Sequence, residues 1–284
     1  MIQFWVIRDP KEVHFHVKKT LKDQLLYDVV YTYKNHRRIV PASNDTASNQ
    51  VIFVGGSFCF GEGVNDHETI PNYFALAQNH LSKVENISCH GYGTHQVLEI
   101  VKNQIVTDSS FMGKPTSLIY VFMEDHIRRA AGRSAWDTKG PWYEVDRGVL
   151  HKCGNFSQKP IQIKAENKIS LTTMWEHTHF YHRFFNDELF ISDEDMTRAA
   201  LMFKEMNNLL TSKKIDFKVL MISSQDTFHL SPIIEQGGLD PNQVIYLPFK
   251  KSDRDDYRIK YDGHTTAVFN EKTGRYLQRI LSKP

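Results

Sequence analysis

Apolar residues recur along this chain in two periods, and the alternation between them predicts strands and helices in turn. Residues 51–54 (VIFV) form a continuous apolar run that reads as a short buried strand, and the run ends in Gly55, Gly56 and Ser57. Asn65 or Asp66 is placed to cap a helix that extends to about Asn79. A short strand is expected over 84–89, followed by the turn Gly91-Tyr92-Gly93. Thr94 then caps a helix whose apolar positions Val97, Leu98, Val101, Ile105 and Val106 have helical spacing. The run TSLIYVFM predicts a third strand ending at Met123, with Glu124, Asp125 and His126 just past its end. A helix over 193–212, strands in DFKVLMIS and QVIYLPF, and a last helix between Gly263 and about Ile280 complete the series.

Two stretches depart from this rhythm. Residues 1–50 form an N-terminal segment in which HFHVKKTL and LLYDVVYTYK alternate with a two-residue period, as a hairpin or edge strands would. The polar stretch HRRIVPASNDTASNQ then reads as a loop. Residues 130–170 are an insertion carrying Trp136, Trp142, Tyr143 and Phe156, with GPWYEVDRGVLHKCG hairpin-like. No internal repeat or low-complexity linker divides the chain, so 1–284 is read as a single domain. The fold class expected is α/β, a central parallel sheet of about five strands with helices on both faces and a hairpin-containing insertion.

Composition changes this picture little but closes several routes. With 35 basic and 33 acidic residues the net charge is +2, so charge implies no nucleic-acid partner. Cys59, Cys89 and Cys153 lack C-x-x-C spacing, which argues against a disulfide scaffold and a thiolate zinc site. No run of about 18 apolar residues is present, so no membrane span is expected in this chain. No leader with a charged and an apolar region opens it either, and the apolar start MIQFWVIRDP is compatible with a trimmed N-terminus or a native one.

The candidate chemistry begins at Ser57, since a buried strand ending in Gly-Gly-Ser puts a hydroxyl at the carboxyl edge of a sheet, where open α/β sheets place their ligands. The G-x-S-x-G elbow is not met, because Cys59 stands where its second glycine would be. The phosphate-binding pattern ending in Gly-Lys-Ser/Thr is absent too. A serine hydroxyl is a weak nucleophile at neutral pH and needs a base. Asp262-Gly263-His264 offers one, because an Asp two residues before a His can turn back onto the ring and fix its tautomer.

Four blocks, VIFVGGSFCFGEGV, NISCHGYGTHQ, SLIYVFMEDHIRR and YDGHTTAVFNEKTGRYLQRIL, stand in the order of the SGNH (GDSL-like) hydrolases, which the chain resembles from about Tyr27 to Leu281. The resemblance implies a flavodoxin-like three-layer α/β/α sandwich and a serine esterase or acyl-transfer site. By family role Ser57 attacks the acyl carbonyl, His264 is the general base and Asp262 orients it. The main-chain N–H groups of Ser57 and Gly91 would hold the oxyanion. Gly56 replaces the usual Asp of Gly-Asp-Ser. The D-x-H spacing is shorter than the common D-x-x-H and looks like the branch that handles acetyl groups on bacterial polysaccharides. The third block lacks the family's Asn and offers Glu124, Asp125 and His126. An ionised carboxylate cannot donate a hydrogen bond, so His126 is the expected oxyanion substitute, with Asp125 capping the next helix as the alternative.

His90 and His95 flank the glycine block as candidates to line the site. Arg128 and Arg129 either pair with the nearby acids or bind an acidic glycan. Trp136, Trp142 and Tyr143 are a candidate sugar or acyl platform, or else pack the insertion. Cys59 falls within the turn and is read as packing. Glu176, His177, His179 and His182 include an i,i+3 histidine pair, but no metal and no cofactor are expected, since serine chemistry needs neither. The function expected is a serine esterase removing O-acetyl or other short acyl groups from a small ester or an acylated glycan. The alternatives are an O-acyltransferase on a polysaccharide and a carbohydrate-binding relative with weak turnover. The resemblance favours an exported or membrane-tethered protein, and it leaves the oligomeric state open.

Overall fold

The computed structural model describes residues 2–8, 12–111, 113–159, 191–222, 231–249 and 254–282. An antiparallel unit comes first: β1 (Ile2–Arg8), β2 (Glu12–Leu21), β3 (Gln24–Lys34) and the two-residue β4 (Arg37–Arg38). The α/β portion follows with β5 (Asn49–Gly55), α1 (Ser57–Phe60), α2 (Ile70–Ala77), β6 (Ser82–Asn86), α3 (Thr94–Ile100), β7 (Thr116–Phe122) and α4 (Asp125–Ala130). The insertion contributes the hairpin β8 (Pro141–Asp146) and β9 (Val149–Asn155), which forms a separate two-stranded sheet. The remaining elements are α5 (Asp193–Ser212), β10 (Ile215–Met221), α6 (Ser231–Gln236), β11 (Val244–Tyr246), α7 (Arg254–Tyr257) and α8 (Ala267–Leu281).

Among the described residues the main sheet has nine strands, in the order β1-β2-β3-β4-β6-β5-β7-β10-β11. The five from β6 to β11 are mutually parallel, as the apolar runs predict. The expectation of a sheet of about five strands is corrected upward, because the N-terminal hairpin joins the same sheet. The junction is slight, a single antiparallel pair between Arg38 and Asn86. Within the parallel part the chain moves from β5 outward to β6 and then back across to β7. This flavodoxin-like order leaves a crevice at the carboxyl ends of β5 and β7.

The parallel strands read as unbroken apolar runs because both faces are covered. On one face Ile52, Val54, Leu118, Tyr120 and Phe122 meet Val97 and Leu98 of α3 and Met202 and Phe203 of α5. On the other, Phe53, Ile119, Val121 and Leu220 meet Ile70 and Phe74 of α2 and Phe269 and Leu277 of α8. Each such side chain contributes about 1.5–3 kcal/mol of burial free energy, and the two layers together fix the height of the strand ends.

Two helix starts differ from expectation. The helix predicted from Asn65 or Asp66 divides into a short turn over 66–68 and α2, because Thr69 is extended (φ −82°, ψ 155°) and accepts from the Asn72 N–H at 3.3 Å. Gly93, not Thr94, caps α3. Thr94 is fully buried and its hydroxyl lies 3.1 Å from that of Tyr120. The candidate metal ligands Glu176, His177, His179 and His182 lie outside the described residues.

Candidate active site

Ser57 is the first residue of α1, at the carboxyl end of β5. Its side chain is presented by a single turn of helix that closes at Gly61, whose N–H donates to the Ser57 carbonyl at 2.9 Å. As an N1 residue, Ser57 has a backbone N–H with no partner inside its own helix. The turn continues to Val64 and is gripped by a buried arginine. The Arg38 guanidinium donates to the carbonyls of Phe60 and Gly61 at 2.6 Å each and of Val64 at 2.7 Å, and to Asp66 Oδ1 at 3.0 Å. It also lies over the rings of Tyr31 and Phe60, at 4.4 and 4.5 Å. Burial depresses the affinity of Arg38 for its proton, and the charge of Asp66 opposes that.

The second half of the site is the loop between α7 and α8. The Ile259 N–H donates to the His264 carbonyl at 2.7 Å, and the Asp262 and Gly263 N–H groups donate to the Ile259 carbonyl at 3.1 and 2.9 Å. Gly263 sits at φ +90°, in the left-handed region. This turn folds the Asp262 carboxylate back on the following residues, so that its Oδ1 accepts from the His264 N–H at 3.2 Å and from His264 Nδ1 at 2.5 Å. The other ring nitrogen, Nε2, lies 2.9 Å from Ser57 Oγ, 207 residues away in the chain. The three groups singled out as a triad are therefore joined in one line through the two nitrogens of His264.

Asp262 has a second cation. Lys19 Nζ, from β2, donates to Oδ2 at 2.5 Å, and the carboxylate is enclosed. Burial alone would raise its affinity for protons, but the hydrogen bonds from His264 and Lys19 and the imidazole charge hold it well below the usual carboxylate range. With Asp262 ionised, Nδ1 carries the hydrogen and Nε2 is left to accept from the serine hydroxyl.

A further carboxylate stands at Nε2, one that neither motif nor spacing announced. Glu62 Oε2 is 3.3 Å from His264 Nε2 and 2.7 Å from His90 Nδ1, and Oε1 accepts from the Tyr27 hydroxyl at 3.5 Å. Burial works against its charge, yet the His90 hydrogen bond and the two imidazoles bring its pKa below the ordinary value. The signal available in sequence was its setting between two glycines. Gly61 and Gly63 are both left-handed (φ +85° and +82°), and the Gly63 N–H donates to the Tyr31 hydroxyl at 2.8 Å.

An open cleft of about 960 Å³ leads to the triad, lined by Ser57, Phe58 and His264 with Met123, Arg129 and Arg258 among its walls. Arg129 thus reaches the cleft, where its guanidinium donates to the Tyr92 carbonyl at 2.8 Å and faces the Trp136 ring. His95 and Trp142 do not. His95 is completely enclosed, with Nε2 2.7 Å from Asp137 Oδ2, and so ties α3 to the insertion. Trp142 and Tyr143 are buried residues of β8 itself, while Trp136 is exposed and lies against Gly91. The aromatic platform is thereby reduced to Trp136.

His126 is likewise enclosed at 1 % exposure. Its ring stacks on Tyr120, and Nδ1 is 3.0 Å from the Tyr120 hydroxyl. Burial, with the nearby charges of Arg129 and His95, pushes its pKa well below the ordinary value. Its Nε2 has no hydrogen-bond partner among the described residues and faces Gly56, where an added Cβ would come within 2.7 Å. The absence of a side chain at position 56 and the presence of His126 are therefore linked by packing. His126 fills the space that a side chain at position 56 would need, and it stands behind the serine turn rather than in the cleft as the expected oxyanion donor would. Asp125 begins α4 and pairs with Arg128. Cys59 is completely buried, and burial pushes its thiol up to about 12, consistent with packing and not nucleophilic use.

No family model matches the chain, and no curated protein matches it. Among solved structures it is similar to a protein assigned to the lipolytic G-D-S-L family from Desulfitobacterium hafniense DCB-2, with 12% identity and a TM-score of 0.38 over 81% of this chain and 98% of that one. It is also similar to the lipase Lip_vut3 from a goat rumen metagenome, with 10% identity and a TM-score of 0.45 over 82% and 97% of the two chains. A protein assigned as a GDSL-like lipase from Parabacteroides merdae ATCC 43184 shares 11% identity, with a TM-score of 0.41 over 84% and 98%. Among the described residues no helix is long and apolar enough to cross a membrane, and no group of three or more His, Cys, Asp or Glu side chains could hold a metal ion.

Proposed function

We propose that the protein is a serine esterase that removes short acyl groups through an acyl-Ser57 intermediate. The observation that carries this reading is the continuous line of contacts from Ser57 Oγ to His264 Nε2 at 2.9 Å and from His264 Nδ1 to Asp262 at 2.5 Å. As Oγ adds to the ester carbonyl, its proton moves to Nε2, and Asp262 stabilises the imidazolium that results. Nε2 then gives that proton to the departing alcohol oxygen as the C–O bond breaks. Water enters by the same route in reverse, and its proton returns through Nε2 to Ser57.

The negative charge on the carbonyl oxygen is assigned to the N–H of Ser57, at the start of α1, and to the N–H of Gly91. Each such donor is typically worth about 10²–10³ in rate. Glu62, 3.3 Å from Nε2, favours the imidazolium further once the proton has arrived there. The acyl side lies in the cleft with Phe58 and Met123. The D-x-H spacing at Asp262 and His264 supports an O-acetyl group on a carbohydrate as the substrate class.

The test is adduct mapping after treatment with a fluorophosphonate probe. Modification confined to Ser57, and lost in His264→Ala, supports the reading. A protein that takes no adduct at Ser57 while remaining folded rejects it.

A further inference from the structure

The described residues line a second, partly open cavity of about 420 Å³ between the N-terminal hairpin and the serine turn. Its floor is Tyr27 and Tyr31, both buried, and its rim is Phe15 and Tyr33, which pack edge to face with ring centres 5.4 Å apart. Glu62 and His90, 2.7 Å from each other, also line it. Volume and lining fall in the range of small-molecule sites, which are mainly aromatic with a few placed polar groups.

The cavity reaches the catalytic geometry through one side chain. Glu62 Oε2 is 3.3 Å from His264 Nε2, and the same residue lines the cavity. In the esterase reading, on which this step rests, Nε2 hands its proton to the departing alcohol oxygen. The alcohol portion must then lie beside Nε2, on the side shared by Ser57 Oγ and Glu62. An alkyl chain in that place would strip water from an ionised carboxylate and give nothing back. A ring with an apolar face and several hydroxyls satisfies both walls: the face covers the phenyl and phenol rings, and a hydroxyl donates to the carboxylate. Glu62 has acceptor capacity left, since Oε1 takes only a long bond, 3.5 Å, from Tyr27.

We infer that this cavity receives the alcohol portion of the ester as a hydroxylated ring of sugar size, seated on Phe15, Tyr27 and Tyr33 with a hydroxyl donating to Glu62.

The test is saturation-transfer NMR on the full chain with methyl β-glucoside, which carries no ester and is not turned over, beside sodium hexanoate as an aliphatic probe. Ring protons of the glucoside should receive saturation. Phe15→Leu and Tyr33→Leu, which keep apolar volume but remove the flat faces, should weaken its binding about tenfold. Thermal melting shows whether each variant is folded, and Phe15→Leu serves if Tyr33→Leu is not. Saturation of the hexanoate methylenes with none on the glucoside overturns the inference. So does glucoside binding of equal strength in wild type and both variants, or no glucoside signal in wild type. Because binding needs no turnover, a protein that binds the glucoside through Phe15 and Tyr33 yet takes no fluorophosphonate at Ser57 keeps this cavity and loses the esterase reading.

Discussion

The parallel and antiparallel halves of the sheet serve one site in different ways. The parallel half carries the proposed nucleophile, since Ser57 follows β5 directly, and its last helix is preceded by the Asp262–His264 turn. The antiparallel half carries no proposed reacting atom, yet it supplies Lys19 to Asp262, the Tyr31 hydroxyl to Gly63, and Arg38 to three carbonyls of the serine turn. The proposed reacting groups sit on glycine-rich turns, which have many conformations open to them. Restraint of those turns therefore comes from long side chains anchored on rigid strands facing them. A turn held by distant cations can keep a 2.9 Å contact between Ser57 and His264 that its own backbone would not secure.

The comparison breaks first at the reacting groups. Ser57→Ala should lower kcat on the order of 10⁵-fold with p-nitrophenyl acetate as substrate, and a rate near that of the parent would remove the parallel half from the chemistry. Asp262→Asn should cost on the order of 10⁴-fold, since an amide side chain can present its N–H to Nδ1 and leave the wrong tautomer facing Ser57. The same variant sharpens the acid limit of stability. Asp262 binds its proton less tightly in the folded chain than in the unfolded one. The unfolded state therefore takes up more protons, and stability rises with pH across that window. Its contribution is complete above about pH 4, the ordinary carboxylate value, and is lost as pH falls from there toward the low folded value. Melting temperature followed from pH 6 down to pH 2 should fall less steeply in Asp262→Asn, and a parallel pair of curves would show that the carboxylate is not stabilised by folding.

Stability separates the halves next. Arg38→Met takes the guanidinium from three turn carbonyls and from Asp66, whose Oδ1 keeps only the Thr32 N–H at 3.1 Å, and removing one partner of a buried ion pair typically costs about 3–5 kcal/mol. Urea unfolding should show that loss, and a loss under about 1 kcal/mol would mean that the serine turn holds itself. Little in the sequence announced this residue. Arg38 stands in a stretch that reads as polar loop, and the strand it belongs to has two residues and one ladder pair with β6. The parallel strands were readable because burial on both faces leaves runs such as Leu118 to Phe122 without a polar break. The meeting of Ser57, Asp262 and His264 was legible because its signals are local, a strand ending in glycines and an Asp folded onto a nearby His. His95, His126 and Trp142 were misread as site residues because chain position near a motif does not say which way a side chain faces. For His126 the deciding fact is a contact with Gly56, 70 positions earlier in the chain.

The smallest expected effect tests whether the antiparallel half only positions. Lys19 bonds Asp262 Oδ2, while His264 uses Oδ1. Removing the lysine leaves Oδ2 enclosed without its donor, which costs about 1–3 kcal/mol of stability. It does not remove the acceptor that sets the tautomer of His264. Lys19→Met should therefore lower kcat only about tenfold or less, with Lys19→Arg restoring most of it, because a guanidinium can reach the same oxygen. If Lys19→Met fell as far as Asp262→Asn, the cation would belong to the chemical step and the division between the halves would fail. If neither rate nor melting temperature moved, the ion pair would be a bystander, and the hairpin's hold on the site would reduce to Tyr31 and Arg38.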